Sequence, residues 1–116
     1  MDHIFIRDLR IEMLIGFHRR EQLVPQAVRL DVEIGIGDDR VYEGDRVADC
    51  IDYDKVTARI RELALARHYN LVETFADHVA RILVDEFGAA RASVEVAKLG
   101  VLKDAGLVGV RVERSR

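Results

Sequence analysis

The chain has 116 residues, 49% apolar and 34% charged, which is the size and balance of one globular domain over residues 1–116 and excludes disorder. Eighteen Lys and Arg against twenty-one Asp and Glu give a net charge of −3. The two signs are interspersed and only seven aromatics occur, so no surface for a phosphate backbone or stacked bases is expected, and no nucleic-acid partner.

No stretch approaches the roughly 20 apolar residues of a membrane span, and the charges in MDHIFIRDLR interrupt the apolar run that a signal peptide needs. A chain without membrane contact, cytoplasmic in location, is expected. Cys50 has no disulfide partner and reads as a small packed residue. His3, His18, His68 and His78 lack zinc-ligand spacing, so no metal or other cofactor is implied.

The elements follow from periodicity. Residues 3 to 15 are apolar and branched, with a change of parity between Ile6 and Leu9 that a bulge would absorb. From 26 to 37, Val28, Leu30, Val32, Ile34 and Ile36 alternate with polar residues, the mark of a half-buried antiparallel strand. The two strands form a hairpin through Gly16 to Pro25. After a polar connection, Val56, Ile60, Leu63 and Ala64 fall at helical spacing behind Asp52, a candidate N-cap. A second helix follows Asn70, with Leu71, Phe75, Val79, Ile82 and Leu83 on one stripe, and ends near Gly88. Period two returns in Ala92, Val94 and Val96 and again in Val108, Val110 and Val112. The order is β-β-α-α-β-β, an α+β fold with a four-stranded antiparallel sheet and two antiparallel helices on one face. Its long sheet edges favour pairing between copies of the chain.

Four residues stand out. Lys98 shares the parity of Val94 and Val96, which sets an ammonium at the end of the apolar face, either snorkelling to water or serving chemistry. Glu73 lies three residues after Asn70, a spacing that suits a capping box. Equally, a carboxylate at a helix start can accept two N–H bonds from an amidine-like ring edge while a neighbouring N–H binds a carbonyl. Tyr53, in the first turn of the other helix, is a packing residue or a flat stacking face. Glu21, in the polar HRREQ stretch, reads by itself as a solvated loop charge.

The segments IGFHRREQLVPQ, VADCIDYDKV, YNLVETFADHVA and EVAKLGVLKDAGLVGVRVER, taken in order, resemble the successive motifs of bacterial dihydroneopterin aldolases across almost the whole chain. The resemblance implies a T-fold whose subunits close into a barrel, as tetrameric rings or octamers with sites between adjacent chains. It implies a pterin substrate, with Glu73 as its anchor and the Val72 N–H on its oxo group. Tyr53 would stack on the ring from the neighbouring chain, with the backbone around Ile51 lining the pocket. Lys98 and Tyr53 would handle protons, and Glu21 would lie near the trihydroxypropyl chain. The implied reaction is retro-aldol cleavage of 7,8-dihydroneopterin without metal or cofactor.

The family commonly has Lys-Pro where this chain has Lys98-Leu99, which removes a restraint on the lysine's backbone. Two other readings stay open: a dihydroneopterin triphosphate epimerase, for which Arg19, Arg20 and Lys103 are candidate phosphate contacts, and a pterin-binding T-fold module without catalysis.

Overall fold

The computed structural model describes residues 1–116. Four strands, β1 (His3–Met13), β2 (Gln26–Gly35), β3 (Arg91–Leu102) and β4 (Ala105–Ser115), form one antiparallel sheet in the order β1-β2-β3-β4. Three helices, α1 (Arg40–Gly44), α2 (Tyr53–Ala66) and α3 (Val72–Asp85), lie between β2 and β3 in the chain. The expected α+β fold is the one observed, with one addition: the polar connection after β2 contains α1 and a single 3-10 turn over Val47–Asp49.

The register explains why one face of the sheet is apolar. Val28, Leu30, Val32 and Ile34 pair across β2 and β3 with Lys98, Val96, Val94 and Ala92, and residues directly opposite one another project to the same side. All of these except Lys98 are fully buried, each apolar side chain larger than alanine contributing about 1.5–3 kcal/mol. On β1 the register shifts between Ile6 and Leu9, where Asp8 adopts φ 56° and donates its N–H to Asp31 Oδ1 at 2.9 Å. That bulge lets Ile4 and Ile6, then Leu9 and Ile11, reach the same core despite their different parity.

The helices cover this face. Asp52 caps α2 by accepting from the N–H groups of Asp54 and Lys55, as its sequence position implies. Buried Phe75, Ala76, Val79, Ala80, Leu83 and Val84 seat α3 on the sheet. Arg59 of α2 makes a two-pronged ion pair with Glu86, just beyond α3, so the helices run antiparallel. Two expectations are corrected. Leu71 is not on the core stripe but precedes α3 and is exposed, and Cys50 is an exposed thiol because it follows the 3-10 turn rather than entering the core.

Candidate functional site

The chain's polar exceptions to the apolar pattern meet where the core face ends. The connection from β1 to β2 carries a 3-10 turn over Arg19–Gln22 and folds back toward the segment between α2 and α3. Ile15 bridges to Tyr69, the Gly16 N–H donates to the Tyr69 carbonyl at 2.8 Å, and His68 Nε2 lies 2.7 Å from the Gly16 carbonyl. Gly16 has φ 127°, and a Cβ built on it would collide with the Glu21 carboxylate, so only glycine permits this close approach. Glu21 is thereby delivered to the end of the β2–β3 pairing.

There Lys98 Nζ donates to Glu21 Oε2 at 2.6 Å. The side chains are 17% and 14% exposed, so neither is the solvated charge that its isolated sequence context suggests. Gln26 Nε2 donates to the same Glu21 oxygen at 2.9 Å and to the Ile15 carbonyl at 2.7 Å. Burial pushes the Glu21 carboxyl up. Hydrogen bonds from Lys98 and Gln26, with the lysine's charge, outweigh it and hold the group below the usual carboxylate range. Glu21 Oε1 is buried without a partner.

Beside the pair opens a cleft of about 710 Å³. Its wall includes Lys98, Glu21, Val72 and Glu73, together with Asn70 and the exposed apolar side chains Phe17, Leu71 and Leu102. The capping-box reading of Asn70 and Glu73 is corrected: the N-cap of α3 is Leu71, with no side-chain cap, and Glu73 is the second helical residue. The first N–H groups of α3 have no acceptor within the helix. The Glu73 carboxylate is exposed beside them, in a position that the helix dipole favours for a negative charge. The cleft wall therefore combines N–H donors at a helix start, a carboxylate acceptor, apolar side chains and an ammonium–carboxylate pair. That combination can hold a flat heterocycle by its edge and move protons at its far side.

Four of the six expected residues, Glu21, Val72, Glu73 and Lys98, are thus brought together. Tyr53 and Ile51 are not. They lie at the start of α2, which spans 14 residues and so about 21 Å before the chain turns into the segment that leads to the cleft. Ile51 lines a separate hollow with Cys50 and Phe87, and Tyr53 is 63% exposed. Within one chain, neither belongs to the cleft. Of the candidate phosphate contacts, Arg20 lines the cleft with His18, whereas Arg19 and Lys103 are exposed outside its wall. No three His, Cys, Asp or Glu side chains of the chain gather as a metal-binding group. No helix is long and apolar enough to cross a membrane.

Sequence reasoning missed Asn70, Leu71 and Phe17 as wall residues, and Gln26 as the partner of Glu21. Gln26 carried a signal: it has the parity of Val28 and Leu30, one step before the apolar row begins.

The FolB dihydroneopterin aldolase family profile matches residues 4–113. The dihydroneopterin aldolase of Escherichia coli strain K12 is 30% identical over 114 residues, covering 98% of this chain and 93% of the relative. The E. coli dihydroneopterin aldolase solved in complex with neopterin superposes with a TM-score of 0.92 at 30% identity, covering 99% of this chain and 100% of that one. A Vibrio cholerae chain assigned to the same enzyme gives a TM-score of 0.93 at 33% identity, covering 100% and 98%.

Proposed function

This chain belongs to the dihydroneopterin aldolase family, and from that premise we propose that it cleaves 7,8-dihydroneopterin in folate biosynthesis, in a site completed by a neighbouring copy of itself. The products are 6-hydroxymethyl-7,8-dihydropterin and glycolaldehyde. The observation that carries this reading is the cleft that joins the uncapped start of α3 and Glu73 to the Lys98–Glu21 pair.

In this reading Glu73 accepts two N–H bonds from the 2-amino-pyrimidinone edge of the pterin, and the Val72 N–H donates to the oxo group. Only an edge with donors flanked by an acceptor matches that set. The far side of the ring then lies toward Lys98, whose ammonium has three N–H donors, one of them given to Glu21. As a proton leaves the hydroxyl on the second side-chain carbon, the bond to the first side-chain carbon breaks. Its electron pair enters the ring's C=N bond and is received at N5, where Lys98 donates or hydrogen-bonds. Glycolaldehyde departs, and the enamine is reprotonated at the first side-chain carbon. Because the substrate supplies its own electron sink, neither a Schiff base nor a Lewis-acid metal is required.

Tyr53 and the backbone around Ile51 complete the pocket from the adjacent subunit, the tyrosine stacking on the ring and relaying a proton. The edges of β1 and β4 are unpaired within the chain, which supports an assembly that closes sheets edge to edge into a barrel, as a tetrameric ring or a stacked octamer. In this proposal the chain is one T-fold domain acting in the cytoplasm. Epimerisation is the second reading, since it shares the early retro-aldol step, and Arg20 at the cleft is the observation that favours a phosphorylated side chain.

The test is incubation of chelator-treated protein with 7,8-dihydroneopterin and with its triphosphate, the products being separated by chromatography. Glycolaldehyde release is the expected result. Stereochemical inversion without cleavage selects the epimerase, and pterin binding without turnover selects the non-catalytic module.

A further inference from the structure

We propose that Gln26 is a positioning residue for the proton-handling pair, its amide clamping Glu21 so that a single carboxylate oxygen meets Lys98. The inference rests on the reading of Lys98 and Glu21 as proton-handling groups, and it concerns a side chain outside the cleft wall.

The geometry carries it. Gln26 stands at the first position of β2, opposite Met13, and shares a face with Val28, whose cross-strand partner is Lys98. Its amide lies within hydrogen-bond distance of two acceptors, the Ile15 carbonyl at 2.7 Å and Glu21 Oε2 at 2.9 Å. Two acceptors fix the amide orientation, because the nitrogen has two N–H donors and the amide oxygen would meet a carboxylate with repulsion. The Ile15 bond ties Gln26 to the segment that Gly16 and Tyr69 hold in place. The clamp is therefore anchored on backbone and aimed at one oxygen.

Its consequence is asymmetry within the Glu21 carboxylate. Oε2 takes both side-chain donors, Lys98 Nζ at 2.6 Å and Gln26, while Oε1 is buried without a hydrogen-bond partner, the His18 backbone N–H being the one other group that acts on the carboxylate. A carboxylate free to turn would bring its second oxygen to a donor, because an unpaired buried acceptor is costly. The clamp holds Oε1 back as an open acceptor and limits how far Glu21 engages the ammonium. Lys98 keeps donors for a ligand.

Gln26→Met, of similar length but without a donor, tests the clamp through kcat for dihydroneopterin cleavage, pterin affinity by equilibrium binding, and titration of the Glu21 carboxyl followed by ¹³C NMR in the ligand-free protein. The expected result is a fall in kcat of about tenfold, as a small misplacement of a reacting group produces, with pterin affinity within about twofold of the parent. The Glu21 midpoint moves to higher pH. Gln26→Glu, which sets a second carboxylate against the first, moves that midpoint further in the same direction. Unchanged kcat and an unchanged Glu21 titration in Gln26→Met overturn the proposal. So does a loss of kcat matched by an equal loss of pterin affinity, which makes Gln26 part of the binding framework. Parent protein that releases no glycolaldehyde refutes the functional reading instead, and the ligand-free titration then judges the clamp separately.

Discussion

The α-carbon of Gly16 and the carboxylate of Glu21 are in such close approach that the first carbon of any side chain at position 16 would occupy the carboxylate's place. Only four residues lie between them along the chain, and this contact decides whether Glu21 reaches Lys98, because the turn over Arg19–Gln22 folds directly onto the Gly16 backbone. A substitution here is therefore read at the cleft as well as in stability. Gly16→Ala is expected to destabilise the fold by about 1–3 kcal/mol, from its φ of 127° and the collision. It should also reduce turnover by displacing Glu21. Chemical denaturation with a parallel kcat measurement checks both, and a variant equal to the parent in both would contradict the packing described.

Acid stability follows from two carboxylates whose ordinary ranges are depressed by the fold. Burial raises the Asp77 carboxyl, but hydrogen bonds from Arg81 and Arg114, both at 2.9 Å, bring it below its ordinary value, and Glu21 is lowered by Lys98 and Gln26 against its own burial. A group with a depressed folded-state pKa binds its proton more tightly in the unfolded chain. Its contribution is fully present above the unfolded values, 3.8 for Asp and 4.5 for Glu, and is lost as pH falls through the lower folded ones. Denaturation midpoints should thus hold steady above about pH 5 and fall on the acid side. Asp77→Asn, which removes the titrating charge from the link between α3 and β4 and leaves the cleft side chains in place, should flatten that acid slope. An unaltered slope would remove Asp77 from the account.

Glu73 separates capping from ligand recognition. Since Leu71 is the N-cap and no side chain caps α3, Glu73→Gln takes away no capping-box bond, and the change in unfolding free energy should stay within about 1 kcal/mol, the helix-dipole contribution alone. Pterin binding should suffer far more. The amide keeps one oxygen acceptor but turns its NH2 toward a pterin donor, so one charge-assisted hydrogen bond of about 1.5–3 kcal/mol is lost and the other weakened, a loss of affinity of about 10- to 150-fold. Thermal unfolding and fluorescence titration with a pterin distinguish the roles: a destabilised variant with normal affinity would return Glu73 to a structural one.

The legible and illegible parts of this chain divide along a physical line. Periodicity reports which face a residue occupies, so the strands, the bulge between Ile6 and Leu9 and the placement of Lys98 on the core face could all be read from spacing. The family motifs pointed to Glu21, whose local polarity resembles any surface loop. Its burial depends on Lys98, 77 positions away, and no local pattern encodes a contact at that separation. The capping reading of Glu73 failed for a related reason: Asn70 and Glu73 have suitable spacing, but the chain enters α3 one residue later, in extended geometry at Leu71. Gln26 was overlooked because its alternation with Val28 looks like the frayed start of a strand until the Ile15 carbonyl is seen beside it.

The separation of Tyr53 from the cleft gives a test of subunit sharing that does not depend on any one mutant's severity. Tyr53 lies outside the cleft that Lys98 lines, with the length of α2 between it and the segment leading there, whereas in the proposed assembly a neighbouring copy supplies the tyrosine. Tyr53→Ala and Lys98→Ala should each be inactive as pure assemblies. When the two are unfolded together and reassembled, a site that takes Lys98 from the first variant and Tyr53 from the second is intact. For random equal mixing this describes about one quarter of all sites. Recovery toward that fraction of parental turnover, absent when the assembled variants are simply combined without dissociation, is the expected outcome. No recovery from mixed assemblies whose composition has been verified by mass would place both residues in the same subunit's chemistry, or remove Tyr53 from it.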